Sequence, residues 1–585
     1  MNYDFVTDNR SAAALAKDLK RLSSVGWDTE TFGDAPESFD WVRGEQAWHQ
    51  WSDGKRAWLV DCTKVDVQLF KPVLESETIT KIIQNSAFDA AWTAREHGIF
   101  TRKIWDTRYQ EQLILGLAMP RELTVGQKAA LSPKWSSSLK YQLARRGWDD
   151  KMIFEPFYKG VPLTPTQPLY MVRDVEFLHP LMEDQQQKIN EMGLQDVSYL
   201  ENCISEITYQ MMVNGFGIDT KGWLKVTEAE EKIYYACLKK LKAIADINWN
   251  SWAQYYKFFG VDNTDVLYTN KYKGTTVQMK ALKLWKESRD HYKAVTTYGR
   301  EWIAQHVHNG VARCNYTQMV NTGRYACERP NLQNLLPLVT QFFKPWHGKD
   351  NVYVTPDFSG QEMAIMAYGS QEPRWLECLR AGKDLHNMVA EDVLGEVWTN
   401  YSAEEKIDQR RVIKIINFSI AYGAGLETIA ERAGTTVEVI KQRLNRMRRL
   451  YPKLFAWLEY NAAEAKRTWV SYSFPPFNRY RSLALELQGW RRENIGMNNP
   501  VQSTAADMAK LAMYFFYQEL KGGLKAWFIH MLHDELIVEC SRSSSKRVAK
   551  ILVDCMNRAC TAILGEPLSV PELKITDYWD KRKNI

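Results

Sequence analysis

An apolar run near the end of the chain is interrupted by three ionisable side chains, His533, Asp534 and Glu535. Apolar residues precede them over 527–532 and follow them over 536–538, a pattern that predicts a buried strand hairpin. Two carboxylates held side by side in such a hairpin repel each other unless a cation neutralises them. The cluster therefore predicts a metal site, with an ordinary acidic strand turn as the alternative.

A second acid, Asp357, closes another apolar and strand-like stretch, residues 353–359. Two strand-borne aspartates that meet in space are the usual cradle for a pair of Mg²⁺ ions in phosphoryl transfer. The separation in sequence leaves their meeting open, so the contact between Asp357 and Asp534 is a prediction that the fold must test.

Length and composition set outer limits on the architecture. The 585 residues exceed what one hydrophobic core supports, and at about 150 residues per domain we expect roughly three or four domains. A net charge of +6 permits a polyanionic partner without requiring one, and the nine cysteines lack metal-ligand spacing. No stretch reaches about 18 uninterrupted apolar residues, and no leader pattern opens the chain. We therefore expect a soluble, cytoplasmic protein that does not contact membranes.

Hydrophobic periodicity predicts the order of the secondary structure. Residues 1–190 alternate strands and helices, as in an α/β domain. The strands are expected at 24–28 and 57–61, and the helices at 87–97, 107–117 and 169–181. Long helices are expected at 221–241 and 276–303, strand-like segments over 305–370, and helices over 371–470. Residues 500–585 should form a helix, the acidic hairpin, a second helix and a terminal strand.

A set of acids in the N-terminal part also fits a metal site. Asp28 and Glu30 stand two apart on a predicted strand, so both side chains point to one face and can bind one cation. Asp89 lies at the start of a predicted helix, and Tyr170 and Asp174 lie one helical turn apart. The Asp-x-Glu pair alone is weak, because a solvated strand end gives the same pattern.

The complete set resembles the three motifs of the proofreading 3′→5′ exonucleases that have four acidic ligands and a tyrosine. The resemblance implies that Asp28, Glu30, Asp89 and Asp174 bind two divalent ions and that Tyr170 orients the attacking water. Such a pair of ions suits phosphodiester hydrolysis, because one activates the nucleophile and the other stabilises the leaving oxyanion.

A predicted helix over 404–423 has two chemically different faces. Cationic and aromatic side chains share one face, namely Arg410, Arg411, Lys414, Phe418 and Tyr422, whereas Val412, Ile413, Ile416 and Ile420 share the other. An ordinary amphipathic helix with a hydrated basic face is one interpretation. The spacing favours another, since cations at i and i+4 with an aromatic at i+8 match a triphosphate and a flat base.

The series Arg-x-x-x-Lys-x-x-x-Phe-x-x-x-Tyr-Gly at 410–423 closely resembles the nucleotide-binding fingers helix of family A DNA polymerases. Further blocks resemble that family in its order: 322–324 with 330–334, 357–362, 498–507 and 533–535. The implied fold class is multidomain α/β and α+β, a ribonuclease H-like exonuclease domain followed by a right-hand polymerase. The expected domains are exonuclease 1–190, thumb 191–304, first part of the palm 305–370, fingers 371–485 and second part of the palm 486–585.

The resemblance also implies roles for single residues. Asp357 and Asp534 would hold two Mg²⁺ ions, with Glu535 in support, and the exonuclease site would hold two more; Mn²⁺ can substitute. Arg410 and Lys414 would bind the triphosphate, with Lys414 also protonating the leaving group, and Phe418, Tyr422 and Glu362 would shape the site for a deoxynucleotide. The residues implied to touch DNA are Arg324, Asn331, Gln333, Asn334, Asn498, Gln502 and His533.

The implied activity is template-directed DNA synthesis with 3′→5′ proofreading. The partners would be primer-template DNA and deoxynucleoside triphosphates, and the chain would act as a monomer. Its size suits a phage-encoded replicase, so phage genome replication is the expected role. A repair polymerase with the same sites and a catalytically impaired DNA-binding scaffold remain alternatives. The arginine usual in the family at position 364 is replaced by Ala364, which weakens the expectation of DNA-backbone contacts there.

Overall fold

The computed structural model describes residues 1–34, 37–116, 125–148, 154–268 and 272–581. The chain divides into two compact units. The first unit contains Met1–Asn214, Asn315–Cys327 and Val354–Ile575, and the second contains Gly215–Cys314, Glu328–Tyr353 and Thr576–Ile585.

The N-terminal part of the first unit is a mixed sheet packed with helices. Its elements are β1 Asn2–Val6, α1 Asn9–Leu19, β2 Ser24–Thr31, β3 Gln46–Ser52, β4 Arg56–Asp61, α2 Lys71–Leu74, β5 Thr80–Ile83, α3 Ser86–His97, β6 Ile104–Asp106, α4 Thr107–Leu115, α5 Val125–Trp135, α6 Leu139–Arg145, α7 Gln167–Glu176, α8 Leu178–Glu191 and α9 Gln195–Asn214. The strand order is β1-β4-β3-β2-β5-β6, and β3 is antiparallel to both neighbours. The predicted α/β arrangement is therefore confirmed here.

The predicted helix over 169–181 is wrong, because the structure has two helices that meet at Phe177. Pro180 explains the break, since it has no N–H to donate to the carbonyl of Glu176 and its ring clashes with that carbonyl. The Phe177 ring stacks on Trp148 at a centroid distance of 5.7 Å, which stabilises the corner. The predicted helix over 107–117 ends at Leu115, and residue 117 lies outside the described residues.

The middle of the chain supplies most of the second unit. The elements of this stretch are β7 Phe216–Ile218, α10 Thr220–Ile244, α11 Trp252–Phe259, α12 Asp265–Tyr268, α13 Thr276–Thr296, α14 Arg300–His306, β8 Val307–His308, β9 Val311–Ala312, β10 Asn315–Thr317, β11 Ala326–Glu328, α15 Pro337–Thr340 and β12 Phe343–Lys344. Of these, β10 and residues 326–327 of β11 belong to the first unit. A small sheet has the order β12-β7-β9-β8. The predicted helix over 276–303 is interrupted before Arg300, where Gly299 has an extended conformation and a weak helix propensity.

The remaining elements complete the first unit. They are β13 Asn351–Phe358, α16 Gln361–Ser370, α17 Pro373–Arg380, α18 Leu385–Leu394, α19 Glu396–Asn400, α20 Ala403–Ala421, α21 Leu426–Ala433, α22 Val437–Leu450, α23 Pro452–Thr468, β14 Val470–Tyr472, β15 Tyr480–Ser482, α24 Gly489–Lys521, β16 Trp527–Leu532, β17 Glu535–Ser541, α25 Ser545–Leu564 and β18 Pro571–Thr576. The sheet order is β16-β17-β13-β18. The predicted strand-like character of 305–370 ends at Phe358, because Gly360 has φ 61° and starts α16.

The cysteines and the helices bear on two further properties of the chain. All nine cysteines are free thiols. Over the described ranges, no helix combines the length and the apolar composition that a membrane crossing requires.

Candidate active sites

The sheet order places the two predicted catalytic aspartates side by side. Asp357 lies near the end of β13, and Asp534 directly precedes the neighbouring strand β17. The backbone N–H of Phe358 donates to the carbonyl of Asp534 at 3.3 Å. Burial and then the adjacent Asp357 carboxylate raise the pKa of Asp534 to about 7. Two mutually repelling carboxylates at one half-buried position fit a divalent cation.

A tight turn presents Asp534 at this position. Leu532 of β16 pairs with Glu535 of β17, so only His533 and Asp534 form the loop. His533 has φ 58° and is exposed, whereas Glu535 is buried. The two-residue loop therefore fixes the direction of Asp534 relative to the sheet.

The removal of the Asp534 charge should stabilise the metal-free protein. The carboxyl has a pKa of about 7 in the folded state and an ordinary pKa of 3.8 in the unfolded state. At pH values between these two, the folded state therefore binds more protons than the unfolded state. Stability is then lost as the pH rises through this window. We expect Asp534→Asn to raise the melting temperature in chelator by more at about pH 8 than at about pH 5, measured by calorimetry. An equal effect at both pH values, or the same gain from the exposed-site control Asp554→Asn, would contradict this expectation.

Helix α20 carries the predicted cationic and aromatic face. Ser402 and Glu405 form a capping box at its start. On one side Val412, Ile413 and Ile416 are buried. On the other side, the Lys414 ammonium is exposed and lies 5.9 Å from the centre of the Phe418 ring. The helix is thus anchored by its apolar face and leaves the predicted nucleotide-binding face accessible.

A hydrogen-bonded group forms at the end of α20 from four predicted site residues. The Tyr422 hydroxyl donates to Glu362 at 3.2 Å, and Gln502 donates to the Tyr422 hydroxyl at 2.9 Å. The Arg324 guanidinium donates to Glu362 at 2.6 Å. Burial, and then the Glu362 charge, raise the pKa of Tyr422. Residues far apart in sequence therefore converge beside the face of α20.

Two neighbours of this face were missed in the sequence. Asp384 pairs with Arg410, and His386 lies with its ring 5.7 Å from that of Phe418. His386 Nδ1 is also 2.9 Å from the side-chain nitrogen of Asn417, and burial lowers the pKa of His386 to about 4. Both residues come from the start of α18, so no local pattern within 404–423 could have indicated them.

The N-terminal acids form a second cluster. Oxygen atoms of Asp28, Glu30 and Asp174 all lie within 4.8 Å of one another. Strand β2 supplies the first two and α7 supplies the third. Tyr170, one turn before Asp174, has a pKa raised by burial and by these three carboxylates. Three carboxylates at such distances fit a divalent cation.

The fourth predicted ligand, Asp89, is not part of this group of three. Its carboxylate accepts hydrogen bonds from the Thr29 backbone N–H at 3.0 Å and from the Thr29 hydroxyl at 2.8 Å. Thr29 stands between Asp28 and Glu30, and alternate residues of a strand point to opposite faces. Burial raises the pKa of Asp89 to about 7. Asp89 is thus hydrogen-bonded to the residue of β2 that lies between Asp28 and Glu30.

The remaining predicted DNA contacts lie in both units. Asn498 is half-buried on α24 of the first unit. In the second unit, the Asn331 side chain accepts from the Gln333 backbone N–H at 3.0 Å. The Asn334 carbonyl accepts from the Tyr298 hydroxyl at 2.8 Å. These bonds define a short turn with exposed side chains at Asn331 and Asn334.

Comparisons with known proteins identify the families of both parts of the chain. The model of DNA polymerase family A matches residues 260–581, and a 3′-5′ exonuclease family matches residues 3–190. DNA polymerase I of Aquifex aeolicus (strain VF5) is 25% identical over 631 residues, covering 99% of this chain and 100% of that protein. DNA polymerase I of Caldicellulosiruptor bescii is 27% identical over 412 residues, covering 66% of this chain and 47% of that protein. The thermostable DNA polymerase I of Thermus aquaticus is 28% identical over 269 residues, covering 44% of this chain and 31% of that protein.

A solved structure shares the fold. The POL domain of Pol1 from M. smegmatis, in complex with DNA primer-template and dNTP, superposes with a TM-score of 0.79 at 17% identity. The match covers 98% of this chain and 99% of that chain. The chain belongs to DNA polymerase family A. It is a template-directed DNA polymerase with a 3′-5′ exonuclease domain, and enzymes of both families use divalent metal ions.

Proposed function

We propose that Asp357 and Asp534 bind two Mg²⁺ ions at the site of DNA synthesis, with Glu535 supporting them; Mn²⁺ can replace Mg²⁺. When bound, such ions lower the pKa of the primer hydroxyl and neutralise charge at the reacting phosphate. The observation that carries this proposal is the adjacency of two half-buried aspartates, Asp357 near the end of β13 and Asp534 just before β17, with the pKa of Asp534 raised to about 7.

The exposed face of α20 binds the incoming deoxynucleoside triphosphate in this proposal. Arg410 and Lys414 hold the phosphates, and Lys414 Nζ donates a proton to departing pyrophosphate. The Asp384 carboxylate, now paired with Arg410, keeps that guanidinium oriented until the anionic phosphates compete for it. Phe418 packs on the sugar and base, and Tyr422 stacks at the template position.

Glu362 selects deoxyribose by occupying the space that a 2′-hydroxyl needs. Its hydrogen bonds with Tyr422 and Arg324 support this role because they fix the carboxylate from two sides. We expect Glu362→Ala to raise ribonucleotide incorporation relative to deoxynucleotide incorporation by about tenfold to a hundredfold, measured as the ratio of kcat/KM values. Glu377→Ala, at an exposed position on α17, is the matched control. An unchanged ratio in Glu362→Ala would refute the assignment.

Phe418 carries a separate prediction about the 3′ position of the sugar. By the pattern of the family, phenylalanine here implies strong rejection of dideoxynucleotides. We expect Phe418→Tyr to relax this rejection, because its hydroxyl can replace the missing 3′-hydroxyl as a hydrogen-bond partner. Primer extension in mixtures of deoxy- and dideoxynucleotides measures the effect. Free incorporation of dideoxynucleotides by the unmodified protein would contradict the prediction.

The N-terminal cluster hydrolyses the primer 3′ end in this proposal. Asp28, Glu30 and Asp174, with Asp89 as the fourth acid, hold two divalent ions, and Tyr170 orients the attacking water. The three carboxylates within 4.8 Å of one another, with the Tyr170 side chain beside them, support these roles.

Primer-template DNA and deoxynucleoside triphosphates are the proposed substrates, as in the complex of the M. smegmatis protein. Arg324, Asn498, Gln502 and His533, with Asn331, Gln333 and Asn334, contact the DNA. The proposed domains keep the boundaries expected from the sequence, and the chain acts as a cytoplasmic monomer. Phage genome replication, rather than repair, stays a prediction from size. A catalytically impaired scaffold is disfavoured because the acids of both sites are present and clustered.

A further inference from the structure

Four charged side chains that are not among the predicted site residues are buried together. Arg479 lies just before β15 and is 3% exposed; Asp507 and Lys510 of α24 and Glu201 of α9 are at most 1% exposed. The Arg479 guanidinium donates to Asp507 at 2.6 Å and to Glu201 at 2.5 Å. Lys510 Nζ donates to Glu201 at 2.6 Å. We call these four residues the buried charge cluster.

Stability alone does not account for such a cluster. The charges are balanced, but the transfer of four ions out of water costs several kcal/mol each before their mutual attraction offsets it. Apolar residues of similar volume often give equal or greater stability at such positions. A role other than stability must therefore come from the residues that the cluster contacts.

The cluster contacts the residues on both sides of Arg324 in the chain, Gly323 and Tyr325. On one side, Gly323 has φ 77°, and a Cβ added there would lie 2.7 Å from Arg479 Nε, so the guanidinium packs directly on this backbone. On the other side, the Lys510 ammonium lies 5.4 Å from the centre of the Tyr325 ring. The Tyr325 hydroxyl is also 2.6 Å from that of Thr208 on α9.

The turn itself is closed by backbone hydrogen bonds. The N–H of Gly323 donates to the carbonyl of Val320 at 2.7 Å, and the N–H of Val320 donates to the carbonyl of Arg324 at 3.0 Å. Arg324 thus projects from a turn that has both neighbours held by buried cations. Its guanidinium reaches Glu362, the residue that also binds Tyr422.

The geometry points to Arg479 as a positioning residue for DNA synthesis, which acts by aiming Arg324 at Glu362. Because Arg479 is buried, it acts through Arg324 and not on the substrates directly, and Lys510 assists it through Tyr325. This inference rests on the proposed role of Arg324 in the polymerase site. It assigns a function to the end of the proposed fingers, a segment that holds none of the predicted site residues.

The test replaces Arg479 with lysine, which keeps the charge. A single ammonium cannot span Asp507 and Glu201 while also packing on Gly323, because only the planar guanidinium has that shape. We expect kcat for primer extension to fall about tenfold to a hundredfold, as for other small misplacements of a binding group. Hydrolysis of a single-stranded 3′ end should be unchanged, which shows that the N-terminal domain is folded. Arg467→Lys, at an exposed position paired with Glu464, is the matched control.

A double-mutant cycle separates positioning from mere structural damage. Combined with Arg324→Ala, the Arg479→Lys change should cause no further loss of extension, because the residue that it aims is gone. If Arg479→Lys fails to fold, Lys510→Arg replaces it, since it keeps all four charges and alters the contact of the cluster with Tyr325, on the other side of Arg324. Lys510→Arg should show the same dependence on Arg324.

Two results would overturn the inference. One is an undiminished rate of extension in Arg479→Lys or in its substitute, and the other is an equal loss with and without Arg324. If Arg324→Ala itself leaves extension and nucleotide selection unchanged, the proposed role of Arg324 fails instead. The two failures are therefore distinguishable.

Discussion

Asp534→Asn should reduce primer extension by about a thousandfold or more and leave 3′-end hydrolysis unchanged. Asparagine keeps the size of the side chain and removes the charge that makes the pair with Asp357 a cation site. A loss of about 4 kcal/mol of transition-state stabilisation corresponds to this factor. Rates with saturating deoxynucleotides on a matched primer-template, followed by gel electrophoresis, measure the effect.

The specificity of this loss depends on two controls. Asp554→Asn removes a carboxylate that is 65% exposed on α25 and should leave synthesis unchanged. Hydrolysis of a single-stranded 3′ end reports whether the Asp534 variant retains a working N-terminal domain. Synthesis at more than about a tenth of the normal rate in Asp534→Asn would exclude this residue as a metal ligand.

Asp28→Asn should produce the reciprocal result, a loss of 3′-end hydrolysis by about a thousandfold with synthesis unchanged. Asp28 is one of the three carboxylates within 4.8 Å of one another, and two of them cannot hold a divalent ion as three do. Release of mononucleotides from a labelled single strand, measured over a Mg²⁺ titration, checks the prediction.

The matching control is Asp18→Asn, which removes an exposed carboxylate on α1. Asp89→Asn adds information about the fourth acid. Because Asp89 is fastened to Thr29, its replacement should both weaken metal binding and loosen β2. Full hydrolysis by Asp28→Asn would show that the N-terminal cluster is not the hydrolytic site.

Local patterns in the sequence predicted the elements that carry the sites. The two faces of α20 follow from helical periodicity, and the hairpin around Asp534 follows from apolar strands that flank a short polar turn. The break at Phe177 was also indicated, since Pro180 cannot continue a helix that contains Glu176. Pro180 was the signal for a break in the helix, but the apolar pattern of 169–181 favoured one continuous helix.

Tertiary contacts account for what sequence patterns did not predict. Asp384 and His386 reach α20 from another helix, and Asp89 on α3 bonds to Thr29 on β2. The buried charge cluster joins Arg479 to a glutamate 278 positions earlier in the chain. No periodicity links such residues, because each lies in a segment that is locally ordinary and is buried only when the segments pack.

The most direct test of two separate sites in one chain is extension of a primer with a mismatched 3′ nucleotide, followed by sequencing of the product. With all four deoxynucleotides, the unmodified protein should yield full-length product in which the mismatch has been replaced. Asp28→Asn should leave the mismatch in any product, and Asp534→Asn should only shorten the primer. Full-length product that keeps the mismatch from the unmodified protein, or extension by Asp534→Asn, would contradict the account.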